Sequence, residues 1–133
     1  MATTQTRRPP KIVTATPKQL QQYYSIKLAA ELGPHNVKRL QELDRDGIVV
    51  LDVRSPEGFR KAHVSGAINI PFEEFPTRMQ TLPKQKEIIT YCWSVTCTLS
   101  TKAAYMLASK GYTAREMVGG IEEWQRAGFP IEK

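Results

Sequence analysis

"EIITYCWSVTCTLSTKAAYMLASKGY", residues 87–112, is the stretch that decides the fold class of this chain. It opens with a run of apolar and β-branched residues, crosses a short polar loop, and continues with apolar residues at helical spacing. Apolar residues on both faces are typical of central strands in a parallel sheet that helices cover. The stretch therefore predicts a strand from Glu87 to Tyr91, a loop, and a helix that Gly111 closes.

The rest of the chain repeats this alternation of buried strand and helix. "IVVLDV" (48–53) is a second continuous apolar run, and "AINIP" (67–71) and "TAREMV" (113–118) are shorter strand candidates. Strands that alternate with helices imply a parallel sheet with helices on both faces, joined by right-handed crossovers. The predicted fold class is therefore α/β.

Helices are predicted to begin where a capping residue precedes proline or an apolar stripe. Thr16 and Ser55 are each followed by proline, and Asn36 is expected to cap the helix that follows it. "SIKLAAEL" (25–32) is interpreted as a strand or extended piece, although its alanines and leucines favour a helix equally.

The length of 133 residues fits one domain with one core. Residues 1–15 contain two prolines and no hydrophobic periodicity, so they predict a flexible N-terminal arm, and residues 16–133 predict the folded domain. In parallel α/β folds, ligands bind beyond the carboxyl ends of the strands. Cys92 occupies such an end.

Charge and hydropathy limit the partners that the chain is expected to have. Its 19 Lys+Arg against 13 Asp+Glu give a net charge of +6, but no basic run is interleaved with aromatic residues as a nucleic-acid groove requires. No segment is long and apolar enough to span a bilayer, and the polar, basic beginning lacks a signal-peptide core. We expect no nucleic-acid or membrane partner and a cytoplasmic location; an organelle transit peptide is the alternative interpretation of the acid-free N-terminus.

Both cysteines of the chain lie in the loop after the predicted central strand. In a reducing compartment, such thiols favour chemistry over a structural staple. A reactive thiol must be held as thiolate, and loop amides beside a helix N-terminus stabilise negative sulfur, so Cys92 is the candidate nucleophile with a reachable sulfur. The loop residues expected to cradle it are Trp93, Ser94, Val95, Thr96 and Thr98. The alternative makes Cys92 a small core residue and Cys97 a loop residue packed under the helix.

Three separated blocks of this sequence resemble the rhodanese-like (sulfurtransferase) domain family. They are "VVLDVRSPEGFRKAHVSGAINIP", "EIITYC" leading into "STKAAYMLASKGY", and "MVGGIEEWQRAGFPI", in the family's order. The resemblance spans roughly residues 35–131 and implies a three-layer α/β fold with a mainly parallel sheet of about five strands. It also implies a catalytic cysteine, here Cys92, that carries sulfane sulfur as a persulfide. The implied partners are a sulfane-sulfur donor and a thiol or cyanide acceptor, with no cofactor.

The cysteine loop departs from the family's usual pattern. Active sulfurtransferases of this family carry Cys-Arg-x-Gly-x-Arg, whose arginines help to hold an anionic donor such as thiosulfate, whereas residues 92–98 contain neither arginine nor glycine. The resemblance therefore leaves thiosulfate unassigned as the donor. Phosphatase relatives of this fold place a histidine before the cysteine and an arginine after it. Tyr91 and Cys97 occupy those positions here, so the bidentate clamp for a phosphoryl group is missing.

Cys97 suggests a second chemical step. A thiol in the same loop can attack a persulfide or mixed disulfide on Cys92, release sulfide and leave an intramolecular disulfide. Two other functions stay open at this point. One is a non-catalytic rhodanese-like interaction module that has lost its loop arginines, and the other is a dithiol oxidoreductase that uses both cysteines. The sequence does not predict an oligomeric state.

Asp52 and Arg54, at the end of the second predicted strand, are interpreted as structural, through an internal salt bridge or hydrogen bonds that pin the following turn. The alternative is that they line the active site. His63 is interpreted as a hydrogen-bonded turn residue, because sulfur transfer needs no general base once the thiolate exists. No metal site is predicted, because the two histidines form no compact ligand pair with the cysteines.

Overall fold

The main sheet of the computed structural model, which describes residues 15–133, is parallel throughout. The strands are β1 (Glu31–Leu32), β2 (Ile48–Asp52), β3 (His63–Val64), β4 (Ile68–Asn69), β5 (Glu87–Tyr91), β6 (Ala114–Met117) and β7 (Ile131–Glu132). Five of them form the sheet in the order β1-β6-β5-β2-β4, and β3 and β7 pair antiparallel beside it. The predicted α/β fold with a five-stranded parallel sheet is confirmed.

The described residues form six α-helices, of which α1 precedes the first strand and the other five connect successive strands. They are α1 (Pro17–Ala30), α2 (Pro34–Leu43), α3 (Pro56–Lys61), α4 (Phe75–Arg78), α5 (Leu99–Ser109) and α6 (Gly120–Arg126), with short 3₁₀ turns at Arg45–Gly47, Phe72–Glu74 and Met79–Thr81. None of these helices combines the length and apolar composition needed to cross a membrane. The arm expected over residues 1–15 lies, apart from its last residue, outside the described part of the chain.

The helix starts follow from local capping. Thr16 accepts a hydrogen bond from the Gln19 backbone N–H while the Gln19 side chain accepts one from the Thr16 N–H, a complete capping box. Ser55 caps α3 by accepting a hydrogen bond from the Gly58 N–H. Both predicted starts are confirmed.

Two sequence-based expectations about local structure are wrong. The strand expected over residues 25–32 is mostly helical, because α1 continues from its capping box to Ala30 and only Glu31–Leu32 pairs with β6. Its alanines and leucines are good helix formers, and no neighbouring strand lies alongside residues 25–30 to override them. Asn36 does not begin α2 either. Gly33 is the capping residue, and Asn36 lies inside the first turn, where its side-chain oxygen accepts the Gly33 N–H.

The core has two halves, one on each face of the sheet. Alternate residues of β5 point to opposite faces, as strand geometry requires: Ile89 and Tyr91 join the cluster that contains Trp124 of α6, whereas Ile88 and Cys92 join the cluster that contains Leu107 of α5. Helices α2 and α6 therefore cover one face, and α4 and α5 cover the other. This is the three-layer arrangement that the continuous apolar strands predict.

Register brings the polar strand ends together. β2 and β5 pair in parallel with Asp52 opposite Tyr91, so both strands end at the same edge of the sheet. The cysteine loop leaves β5 at that edge, beside the residues that follow β2 and β6. The fold thus assembles a polar site from segments that are distant in sequence.

Candidate active site

Cys92 is the first residue after β5, and its side chain points to the α5 face of the sheet. It is 1% exposed and packs with buried apolar residues of that face. The expectation of a reachable sulfur is therefore wrong for this form of the protein. The alternation of side chains along β5 directs Cys92 inward, and the polar loop folds over it instead of leaving it open.

The loop is closed by a disulfide between Cys92 and Cys97, whose Cα atoms are 6.4 Å apart. That separation lies within the range that a disulfide spans. A turn brings Cys97 back to the strand end: its N–H donates to the Ser94 carbonyl over 3.1 Å, and the Ser94 and Thr96 hydroxyls are also hydrogen-bonded at 3.1 Å. The structure is thus the oxidised form of the loop.

The expected cradle of backbone amides is not formed around the sulfur in this oxidised loop. The Cys97 N–H, which the cradle would direct at the sulfur, donates to the Ser94 carbonyl instead. A disulfide carries no negative charge, so nothing draws the amides towards it. The roles expected of Trp93, Ser94, Val95, Thr96 and Thr98 stay predictions for the reduced loop. Thr98 is the residue from which α5 begins, without a side-chain capping bond.

The Trp93 side chain packs against the turn between β2 and α3 and does not cover the cysteine sulfurs. Its indole ring lies under the Arg54 guanidinium, 4.4 Å from carbon to ring centroid, and against Gly58, where an added Cβ would come within 2.8 Å of the ring. The side chain is 47% exposed. Because Val95 and Thr96 are also exposed, the middle of the loop has few contacts that resist its movement.

Asp52 and Arg54 form a buried ion pair, and the Arg54 guanidinium of this pair contacts the face of the Trp93 ring. Arg54 Nη2 donates to Asp52 Oδ2 over 2.7 Å, Arg54 Nε donates to both carboxylate oxygens over 3.0 and 3.1 Å, and Nη2 also reaches the Ala62 carbonyl at 2.6 Å. Asp52 is fully buried and Arg54 is 2% exposed. The pair fixes the turn between β2 and α3, and the guanidinium is occupied by a carboxylate rather than free to hold an anion.

Tyr91 joins this pair to a different segment, a link that the sequence analysis missed. Its hydroxyl donates to Asp52 Oδ2 over 2.6 Å and accepts the Val64 N–H at 3.1 Å. Burial raises the pKa of Tyr91 well above its ordinary value, and the negative charge of Asp52 and the hydrogen bond to it raise it further. The available signal was a tyrosine inside a buried strand, because a buried phenol needs a polar partner.

The first two loop residues are tied to the start of α6. The Cys92 carbonyl accepts the Ile121 N–H and the Trp93 carbonyl accepts the Glu122 N–H, both at 3.0 Å. Gly120 lies so close that an added Cβ would collide with the Cys92 carbonyl oxygen, and its φ of +62° also requires glycine. The backbone at Cys92 is therefore fixed, and only the following residues are loosely held.

Within the described residues, no group of three or more His, Cys, Asp and Glu side chains is placed to hold a metal ion. His63 lies in β3, with Nδ1 at 2.7 Å from the Phe59 carbonyl and its ring stacked on Phe59. His35 packs edge-on against Phe129. The two histidines thus have partners of their own, away from the cysteine loop.

Comparison with known proteins identifies this architecture. The family profile of the Rhodanese-like domain matches residues 34–127, most of the described chain. The chain belongs to the Rhodanese-like domain family. Cys92 of this rhodanese-like domain therefore lies at the strand end that the sequence resemblance pointed to, and its loop departs from the family pattern in having Cys97 and no arginine.

Relatives of this rhodanese-like domain include both an enzyme and a regulator. It is 30% identical over 89 residues to a sulfurtransferase of Allochromatium vinosum, covering 66% of this chain and 81% of the relative. It is 29% identical over 94 residues to an HTH-type transcriptional regulator of Mycobacterium tuberculosis, covering 71% of this chain but only 42% of the regulator. Among solved structures, the BH2092 protein of Bacillus halodurans superposes with a TM-score of 0.78 at 35% identity, covering 88% of this chain and 86% of that one.

Proposed function

We propose that this rhodanese-like domain is a sulfurtransferase or sulfur carrier in which Cys92 holds sulfane sulfur as a persulfide and Cys97 resolves it. The observation that carries the proposal is the bond between the two sulfurs at the carboxyl end of β5. A thiol that can reach Cys92 Sγ in the oxidised loop is also within reach of a persulfide formed on that atom. The similarity to a sulfurtransferase supports the same chemistry.

Loading begins from the reduced loop. The Cys92 thiolate attacks the outer sulfur of a persulfide or polysulfide donor, the donor's S–S bond breaks, and the donor leaves as a thiolate. We favour such donors over thiosulfate because residues 93–98 contain no cation and Arg54 is bound to Asp52. In the reduced loop, the amides of residues 93–98 and the N-terminus of α5 are the groups available to stabilise negative sulfur.

Resolution then produces the observed disulfide. The Cys97 thiolate attacks Cys92 Sγ, the bond from Sγ to the sulfane sulfur breaks, and that sulfur leaves as hydrosulfide with its proton. A dithiol reductant returns both cysteines to thiols. A cytoplasmic location is part of this proposal, because in a reducing compartment the disulfide is a turnover state and not a permanent staple.

Intact-mass analysis of the reduced protein tests the proposal. After incubation with a polysulfide, the parent and the Cys97→Ser variant should each gain one sulfur atom, and Cys92→Ser should gain none. The Cys97→Ser variant should then keep its added sulfur, whereas the parent releases hydrosulfide and ends two hydrogen atoms lighter than the reduced protein. If Cys97→Ser fails to load, the resolving role is wrong. If neither the parent nor Cys97→Ser gains sulfur and the parent releases no hydrosulfide, the sulfur-transfer function is wrong.

A dithiol oxidoreductase is the second candidate, and the disulfide itself favours it. In that case the parent would catalyse thiol–disulfide exchange with dithiol substrates, and neither single-cysteine variant would accumulate a persulfide. A non-catalytic interaction module gives a third result. In the reduced Cys97→Ser variant, the rate of iodoacetamide labelling at Cys92 would then follow an ordinary thiol pKa or stay negligible at every pH.

A further inference from the structure

A cleft of about 520 Å³ opens at the same edge of the sheet as the cysteine loop. Its walls are formed by the ends of β1 and β6, the start of α6 and the tip of the cysteine loop. Its apolar lining includes Leu32, Pro34, Val95 and Val118. Since Val95 lies between the two cysteines in sequence, the loop that carries the reactive sulfur is itself one wall of the cleft.

The ionisable residues that line this cleft are both acidic, although the chain carries a net charge of +6. They are Glu31 and Glu123. Each carboxylate uses one oxygen in an ion pair with a residue that does not line the cleft, Glu31 with Lys27 and Glu123 with Arg126. The second oxygen of each has no protein partner among residues 15–133.

Glu123 is held at the cleft by its own turn. Its N–H donates to the Gly119 carbonyl, and its side chain lies against Gly119 so closely that an added Cβ there would come within 2.7 Å of Glu123 Cβ. Gly119 itself lines the cleft and has a φ of +94°. The base of the Glu123 side chain is thus packed against the turn that lines the cleft, while 40% of the side chain is exposed.

We propose that this cleft binds the sulfur acceptor, and that the acceptor is a small aliphatic thiol carrying an ammonium group. The inference rests on the proposed function. The apolar walls accommodate the aliphatic part, and the free oxygens of Glu31 and Glu123 attract the cation. The acceptor thiolate attacks the outer sulfur of the Cys92 persulfide, that S–S bond breaks, and Cys92 leaves as a thiolate while the acceptor becomes a persulfide. Anionic acceptors are repelled by the same carboxylates.

Symmetrical disulfides test the charge preference without any sulfane sulfur. In the reduced, full-length Cys97→Ser protein, the Cys92 thiolate attacks one sulfur of the reagent, a mixed disulfide forms and the other half leaves as thiolate. The probes are cystamine, which is cationic, hydroxyethyl disulfide, which is neutral, and dithiodipropionate, which is anionic. Comparing each probe between two protein variants cancels the intrinsic reactivity of the reagent.

Glu123→Gln should slow the reaction with cystamine about 3-fold, speed that with dithiodipropionate about 3-fold and leave the neutral probe unchanged, because one charge near the cleft is removed. Glu31→Gln should act in the same direction. Glu122→Gln is the matched control, since Glu122 also pairs with Arg126 but does not line the cleft. The effects should shrink at high salt, which screens charges that solvent reaches.

Equal responses of the three probes to Glu123→Gln, or an equal effect of Glu122→Gln, would overturn the inference. Persulfide loading of the same proteins by a polysulfide separates this result from the proposed function. If the rates with the three disulfide probes depend on charge as expected but no persulfide forms on Cys92, sulfur transfer is refuted and the cleft remains a cation-selective site beside a reactive thiol. Loading with a charge-independent series refutes the acceptor assignment alone, and a Cys92 that reacts with no probe refutes both.

Discussion

Replacement of Tyr91 by phenylalanine removes one hydroxyl from the junction of β5 with β2 and β3, and we expect it to lower the free energy of unfolding by about 2–4 kcal/mol. The hydroxyl makes two hydrogen bonds that nothing else replaces. It donates to Asp52 Oδ2 over 2.6 Å and accepts the Val64 N–H over 3.1 Å. All three residues are fully buried, so water does not reach the groups left behind.

The magnitude follows from these two contacts. A hydrogen bond to a charged group contributes about 1.5–3 kcal/mol, and a buried N–H left without a partner costs about 1–3 kcal/mol. Asp52 keeps its bonds to Arg54, so it does not become an isolated buried charge. The two terms overlap in part, which gives the stated range rather than their full sum.

Urea unfolding under reducing conditions measures the effect. With an m-value of about 1.5 kcal/mol/M, the midpoint should fall by about 1.3–2.7 M while the m-value is unchanged. Tyr105→Phe is the control, because Tyr105 is 75% exposed, and it should change stability by less than about 0.5 kcal/mol. A loss below about 1 kcal/mol for Tyr91→Phe would refute the view that this hydroxyl joins the strand ends.

The same variant has a pH signature. Because burial raises the pKa of Tyr91, the folded protein keeps the phenol proton when the unfolded chain releases it. The stability that this group contributes is present below about pH 10 and is lost as the pH rises further, by about 1.4 kcal/mol per pH unit. The Tyr91→Phe variant lacks this loss, so the stability difference between parent and variant should narrow from pH 9 to pH 11. A difference that stays constant over that range contradicts the assigned cause.

Three further predictions concern the surroundings of the loop. Arg54→Met leaves the buried Asp52 charge without its cationic partner and should cost about 3–5 kcal/mol in urea unfolding. Sulfur loading per folded molecule should be unchanged, and a loss of loading at full stability would instead assign the pair to the active site. Gly120→Ala should lower the free energy of unfolding by about 2 kcal/mol more than Gly128→Ala. Both glycines have positive φ, but only at Gly120 would an added Cβ meet the Cys92 carbonyl. Equal losses in the same assay would contradict this prediction. The disulfide joins residues only five apart in sequence, so it closes a short loop. Calorimetry should therefore find that its reduction lowers the free energy of unfolding by about 2 kcal/mol and Tm by several degrees, without unfolding the domain. Unfolding on reduction would exclude a turnover role for the disulfide.

The parallel sheet could be predicted because its signal is local. Residues 88–91 are apolar or β-branched throughout, and the run from Ile48 has a similar character. Each run therefore predicts a buried strand without information from the rest of the chain. The continuation of α1 through residues 25–30 was missed for the opposite reason. An alanine-rich segment is compatible with either state, and the capping box upstream at Thr16 decided the outcome.

The site was harder to predict because it depends on register and side-chain direction. The contact of Tyr91 with Asp52 follows from the pairing of β5 with β2, which no local pattern reveals. The burial of Cys92 likewise depends on which face of β5 it continues. The resemblance identified the cysteine, but the position of the cleft beside Val95 required the ends of three separate segments to be assembled.

The two tryptophans of the chain have contrasting environments, which makes the loop visible to intrinsic fluorescence. Trp124 is fully buried and donates its indole N–H to the Pro130 carbonyl, so its emission should be blue-shifted and insensitive to redox state. Trp93 is half exposed and adjacent in sequence to a disulfide, which is an efficient quencher of indole emission. Opening of the disulfide should therefore brighten a red-shifted component, so that reduction of the loop can be followed optically in the unlabelled protein.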